Sequence, residues 1–396
     1  MSYIPYSCQQ VTEDDIAAVN DVLRSEYLTQ GPVVPVFEEA FARRHGVSHA
    51  VAVSSATAGL HMACLALGVG VGSRVWTSPN SFLASANCAL YCGAAVDFVD
   101  IDPRTRNLSV SALTAKLTLA AQRGTLPDLL IPVDFGGLPC DLLEIRELAD
   151  RYGFRVLQDA SHATGATYQG RPVGSVHAHA TVFSFHAVKV LTTAEGGMVT
   201  TQDPAVAKQL RLLRSHGMTR EAGDLQNPVE GPWVYEQQTL GFNYRLTDIQ
   251  AALGNSQLRR LDAMHQARIA LADRYDELLA DLPLLLPARL PDRVSSWHLF
   301  PVEIDDTRTS CTRAAVFQDL RAAQIGVNVH YIPIHTQPFY AAMGFRAGDF
   351  PAAERYYARA ISLPLFPAMT QAQQHRVVDV LRDALRAQDR PSQMSC

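Results

Sequence analysis

Lysine is scarce in this chain: of its 34 basic residues, 31 are arginine and only Lys116, Lys189 and Lys208 are lysine. Arginine keeps its proton at any working pH, whereas a lysine of lowered pKa serves as an amine nucleophile, so each lysine needs a reason. Lys116 in SALTAKLTLAAQ and Lys208 in PAVAKQLRLLR sit in amphipathic helical patterns, where a solvated face accounts for them. Lys189 lies in TVFSFHAVKVLTTAEGG, a strand running into a loop, with Ser184 and His186 close by and no helical stripe to explain it. Basic surplus is missing as well: 39 acidic residues give a net charge of −5, so nucleic acid is not expected as a partner. The start, MSYIPYSCQQ, has neither the basic nor the apolar region of a signal peptide. Seven cysteines, an odd number and mostly inside apolar runs, suit buried thiols in a reducing compartment, hence a cytoplasmic chain.

Charge is nearly absent between Gly46 and Val96, where Arg74 stands alone. Residues 51–72 match a membrane span in length, but Ser54, Ser55, Thr57, His61 and several glycines interrupt them. The stretch divides better into a buried strand, Val51–Val53, and a buried helix over about 58–67, so no membrane association is expected.

What the 396 residues do contain is an alternation. Apolar runs at His49–Val53, Arg74–Thr77, Ala95–Val99, Leu129–Val133, Phe154–Gln158, Thr181–Phe185 and Gly197–Thr201 read as strands. Helical patterns fall between them at about 58–67, 81–91, 110–122, 141–152 and 203–214. This predicts an α/β fold with a mainly parallel sheet between helices, its site on the loops beyond the strands' carboxyl ends. A long helical pattern from Thr247 to about Leu282 leads to Pro283, Pro287 and Pro291, which mark a boundary. The expected division is 1–285, an arm and large domain, and 286–396, a small α/β domain. The latter is predicted to have strands Trp297–Ile304 and Gly326–Tyr331, a helix over 311–323 and two closing helices.

Three motifs bear on chemistry. VSSATAGL, Val53–Leu60, opens a helix with small and hydroxyl residues, as an anion cradle would. A plain cap by Ser55 or Thr57 explains the same letters. VLQDASHATG, Val156–Gly165, leaves Asp159 at a strand end in an apolar neighbourhood, where it needs a partner or serves as a cap. The run Gly68–Gly72 ends a helix rather than opening one, so it is not a dinucleotide fingerprint. His177, His179, His330 and His335 lack neighbouring ligands at metal-binding spacing, and no metal is expected. Taken together, an anion cradle, the aromatic Phe82, Asp159, Ser184 and Lys189 make the set that pyridoxal phosphate requires.

With those residues in place, the chain resembles a fold-type I pyridoxal-phosphate aminotransferase of the nucleotide-sugar family. The matching segments are SSATAGL, TSPNSFLASAN, QDASHATG, FSFHAVKVLTTAEGG and GFNYRLTDIQAALG. YIPYS, SEYLTQGP, SSWHLFPVEI, VHYIPIHTQPFY and AISLPLFP are similar to the pseudaminic-acid branch. The resemblance implies a covalent aldimine on Lys189, Asp159 at the pyridine nitrogen, Phe82 on one ring face and His162 on the other. It implies phosphate contacts from Ala56, Thr57 and Ser184, and from Asn243 of a second subunit in a homodimer with shared sites. For the sugar it implicates Tyr6, Glu26, Tyr27, Leu28 and Thr29, together with His330, Tyr331, Ile332 and Pro333.

The implied reaction moves an amino group from L-glutamate to C4 of a UDP-4-keto-6-deoxy-N-acetylhexosamine, the L-altro sugar of pseudaminic acid and hence of a surface glycan. Alternatives are a 4-aminotransferase for a D-gluco sugar, a 3-aminotransferase for a TDP-sugar, or a non-catalytic regulator on the same fold. Related sugar dehydratases carry histidine where this chain has Lys189.

Overall fold

The computed structural model describes residues 2–388, which leaves Cys396 outside. Two helices, α1 (Glu13–Leu23) and α2 (Val33–His45), precede the first strand. Then come β1 (His49–Val53), α3 (Ala56–Ala66), β2 (Arg74–Thr77), α4 (Ala84–Tyr91), β3 (Ala95–Phe98), α5 (Val110–Arg123), β4 (Leu129–Ile131), α6 (Leu142–Tyr152), β5 (Arg155–Asp159), β6 (Ala180–Ser184), β7 (Gly197–Thr201) and α7 (Pro204–Arg214). The seven strands form one sheet in the order β1-β7-β6-β5-β4-β2-β3. All neighbours from β3 to β6 are parallel, and β7 alone runs antiparallel to both of its partners. Helices cover both faces, so β6 and β7 are buried along their whole length, which is why these strands read as unbroken apolar runs. The carboxyl ends of β1, β2, β5 and β6 share one edge of the sheet, and the loops carrying Ser55, Phe82, Asp159 and Lys189 all leave from it.

The long helical pattern is two helices, α8 (Asp248–Arg259) and α9 (Leu261–Leu279). Beyond them, β8 (Leu284–Leu285), β9 (Phe300–Ile304) and β10 (Ala360–Leu363) make a small antiparallel sheet with β9 in the middle. Helices α10 (Arg313–Ala322), α11 (Pro351–Arg359) and α12 (Gln371–Gln388) complete this part. Its core joins Val302, Val316, Leu320, Ile361 and Leu381 to Tyr275 of α9 and Ile4 of the amino-terminal arm.

Three local expectations need correction. No strand forms over Gly326–Tyr331: Asn328 makes one bridge to Ser362, and the arm takes the neighbouring bonds through Gly326 N–H to Ile4 O at 2.7 Å. The paired strand is instead Ala360–Leu363. β9 begins at Phe300 rather than Trp297, because Ser296 and Leu299 donate their N–H groups to Gly137 O and Gly136 O of the large part. Lys116 is not on a free solvated face: it pairs with Asp97 at 2.6 Å, donates to Phe98 O and lies over the Trp76 ring. Lys208 is exposed and pairs with Asp224. Cys64, Cys88, Cys140 and Cys311 are buried free thiols, while Cys8 is exposed. Among the described residues no helix is long and apolar enough to cross a membrane.

Candidate active site

The cradle lies where β1 feeds α3. Ser55 caps the helix by accepting the Ala58 N–H at 3.1 Å, and Ala56 and Thr57 begin it, where N–H groups have no partner within the helix. A single residue therefore caps the helix and leaves its start able to receive an anion. Tyr244 O accepts the Ser54 N–H at 2.8 Å, tying this turn to the segment that carries Asn243. Beneath it passes Gly197, where a Cβ would lie 2.8 Å from Ala56 N, so only glycine lets β7 run this close. Ser184, buried at the end of β6, sits opposite Gly197 in the ladder.

Asp159 ends β5 and is buried. Its Oδ1 accepts the Ser161 N–H at 3.1 Å, and its Oδ2 accepts the Ser85 hydroxyl at 2.6 Å. Lys189, half-buried in the loop after β6, is turned by its own N–H to His186 O. Burial lowers its ammonium to about 8, although the Asp159 carboxylate draws it upward. The amino-terminal arm closes this loop from outside through the Ser7 hydroxyl, which donates to Val188 O at 3.3 Å.

His162 is buried three residues beyond Asp159, and burial together with the Lys189 charge holds its pKa well below the usual imidazole value. Gly136 donates its N–H to Nδ1 at 3.3 Å, so the neutral ring carries its proton on Nε2. Nε2 faces the Tyr331 hydroxyl at 3.1 Å. With the imidazole donating, the tyrosine proton is free for whatever occupies the cleft.

Tyr331, which the resemblance assigns to the sugar, has its ring between Phe82 and Phe135, with centroids 6.3 and 6.2 Å away, and its hydroxyl on His162. His330 is likewise engaged, with Nδ1 2.8 Å from the Ser362 hydroxyl and its ring 5.8 Å from that of Tyr6. Phe82 is 59% exposed, unusually open for a phenylalanine beside a buried acid.

Lys189, Asp159, His162, Ser184, Phe82, Tyr331, His330 and Tyr6 thus come together at one junction. Glu26, Tyr27, Leu28 and Thr29 do not join it: they are exposed and are held to α8 by the Asp248 N–H to Leu28 O and a Thr29–Thr247 bridge. Asn243 and Ile332 are exposed, and Pro333 turns the chain so that the Ile334 N–H reaches Pro79 O. Sequence reasoning missed Ser85 and His298, although both lie in the quoted segments TSPNSFLASAN and SSWHLFPVEI. The buried His298 ring is 4.5 Å from that of His162, and its Nδ1 has no hydrogen-bond partner among the described residues.

These residues fit a phosphorylated aromatic aldehyde with a ring nitrogen. The helix start and Ser184 suit the phosphate, a buried carboxylate suits the ring nitrogen, and a lysine of lowered pKa suits the aldehyde. The model of the DegT/DnrJ/EryC1/StrS aminotransferase family matches residues 9–382. This chain belongs to that family. The enzyme is therefore a sugar aminotransferase, in a family that depends on pyridoxal phosphate. It is 39% identical over 390 residues to the spore coat polysaccharide biosynthesis protein SpsC of Bacillus subtilis, covering 98% of each chain. It superposes on PseC of Helicobacter pylori, an aminotransferase involved in the biosynthesis of pseudoaminic acid, with a TM-score of 0.89. The identity is 31%, over 98% of this aminotransferase and all of that one. A Streptococcus pneumoniae relative solved in its PLP-form gives a TM-score of 0.87 at 28% identity, covering 98% and 99% of the two chains.

Proposed function

We propose that this aminotransferase transfers the amino group of L-glutamate to C4 of a UDP-4-keto-6-deoxy-N-acetylhexosamine, the L-altro sugar of a pseudaminic-type route in the cytoplasm. The observation that carries the chemistry is the junction of Lys189, Asp159 and the α3 cradle at one edge of the sheet. The likeness to the Helicobacter protein over the whole chain supports the sugar.

Bound pyridoxal phosphate supplies an electron sink that stabilises negative charge on a carbon next to nitrogen. The chain's own residues do the rest. Lys189 would anchor the cofactor's aldehyde and, as the free amine, would move a proton at the donor's α-carbon and at C4 of the sugar; its lowered pKa leaves it partly neutral near pH 8. Asp159 holds the positive ring nitrogen, an electrostatic role. Phe82 and His162 would bind the ring, and Ala56, Thr57 and Ser184 would hold the phosphate. His330, Tyr331, Ile332 and Pro333 of the small domain, with Tyr6, border the sugar side, whereas Glu26–Thr29 lie outside this junction.

The active unit is a homodimer whose partner subunit supplies Asn243 to this phosphate. Supporting this, the segment around Asn243 exposes Trp233 and Leu240, 67% and 78% accessible, apolar surface that a second copy would cover. Incubation with glutamate and the two C5-epimeric UDP-4-keto sugars, followed by NMR of the products, tests the reading. Amination of the L-altro sugar at C4 is expected. A product from the D-gluco sugar alone would move the enzyme to another route.

A further inference from the structure

We propose that Ser85, backed by Ser81, is the positioning residue that fixes the Asp159 carboxylate for its work at the ring nitrogen. The inference rests on the role given to Asp159 above. Ser85 is in the first turn of α4, where a serine hydroxyl commonly bonds nearby main chain. Here it turns away from its own helix, crosses to the end of β5 and meets Asp159 Oδ2 at 2.6 Å. On its other side the Ser85 oxygen lies 2.7 Å from the Ser81 hydroxyl. All three side chains are buried.

Proton counting orients the chain. A carboxylate accepts only, so the single Ser85 proton goes to Asp159. Ser85 then has none left for Ser81, and the Ser81 hydroxyl donates to Ser85. Donation to an ionised group makes the terminal bond the stronger one, and the donor behind it polarises it further. Ser161 N–H holds the other carboxylate oxygen, so Asp159 is gripped at both oxygens.

The two serines also bracket Phe82, and the Ser85 N–H is donated to Phe82 O at 3.3 Å. One loop thus presents the aromatic face and orients the acid against which the same ring is held. Charged and titratable groups facing Asp159 are Lys189 from the loop after β6, Tyr331 from the small domain and Asp134 from behind β5. None of them replaces the Ser85 hydroxyl on Oδ2 in the structure.

The test uses the full-length enzyme loaded with pyridoxal phosphate. Ser85→Ala is expected to retain cofactor and melt near the wild type, while kcat falls by roughly 10- to 100-fold, the scale for one hydrogen bond to a charged group. KM for glutamate should stay within about twofold, because that interaction is not a ground-state contact with the donor. The absorption spectrum of the bound cofactor should change its dependence on pH, a signature that a packing role would not move. Ser85→Thr restores the hydroxyl and should restore both rate and spectrum. Ser81→Ala should do less harm in the same direction, and the double alanine variant should be no worse than Ser85→Ala, since both act through one bond. An unchanged spectrum and rate in Ser85→Ala, or equal damage in Ser85→Thr, overturns the proposal. If Ser85→Ala does not fold, a wild-type spectrum and rate in Ser81→Ala overturn it. Failure of the wild-type protein to take up pyridoxal phosphate refutes the reading of the site itself. Uptake with an indifferent Ser85 refutes this role alone.

Discussion

Lys189 is held where its charge is unwelcome, and removing that charge should stabilise the cofactor-free protein. Burial lowers the ammonium from 10.5 to about 8 even with Asp159 drawing it upward, so the folded state binds its proton less tightly than the unfolded chain does. Stability therefore rises with pH between these two values. The penalty is fully present below pH 8 and vanishes above 10.5, where the amine is neutral in both states. At ~1.4 kcal/mol per tenfold change in proton affinity, the whole interval corresponds to about 3.4 kcal/mol. Lys189 is only half-buried and water screens part of its charge, so about 2 kcal/mol is expected. Lys189→Met keeps the apolar stem without the charge. Urea unfolding of the cofactor-free forms should show the variant more stable by that amount at pH 7, and the gap should close toward pH 10.5. A variant equal or inferior in stability at pH 7, or a gap indifferent to pH, would refute the argument. The same desolvation suits the role proposed for Lys189, since a less basic amine serves better as nucleophile and proton carrier.

Asp159→Asn should keep the fold and lower turnover by about 100- to 1000-fold, the range for losing one electrostatic stabiliser; wild-type turnover in a steady-state assay would place the ring-nitrogen partner elsewhere. Tyr331→Phe removes the hydroxyl that meets His162 at 3.1 Å and should slow both half-reactions alike, by about tenfold. Single-turnover absorbance separates the halves, and a loss confined to the sugar half would mean that the hydroxyl acts on the sugar directly rather than through His162. Glu303 is buried between Arg106, at 2.6 Å, and Arg359, at 2.7 Å, joining the loop after β3 to the small sheet. Glu303→Gln should cost about 3–5 kcal/mol by leaving the buried Arg106 guanidinium uncompensated, whereas Arg106→Met with Glu303→Leu should cost less. Denaturant unfolding of both variants checks the order.

The residues that meet at this junction were legible because each carries a mark that survives in one dimension. Lys189 lacked a helical stripe, Asp159 stood at the end of an apolar run, and the small residues of SSATAGL opened a helix. The seven strands of the large sheet were legible for a similar reason: burial on both faces leaves no alternation to confuse them. Pairing that crosses the chain left no such mark. The segment Gly326–Tyr331 has the letters of a strand, yet the amino-terminal arm, more than three hundred residues earlier, takes the Gly326 N–H, and only Asn328 bridges to Ser362. Trp297–Leu299 likewise follows the large part rather than its own strand.

Local composition by itself determined the strands, the isolated lysine, the acid at a strand end and the small residues that open a helix, because each depends on its neighbours in sequence. Tertiary structure alone decided what those groups touch. It carried Ser85 to Asp159, Tyr331 to His162 and Ser362 to His330, over separations of 74, 169 and 32 residues. A hydrogen bond is set by distance and direction in space, and a serine or tyrosine has the same letter whether it faces solvent or holds a buried carboxylate.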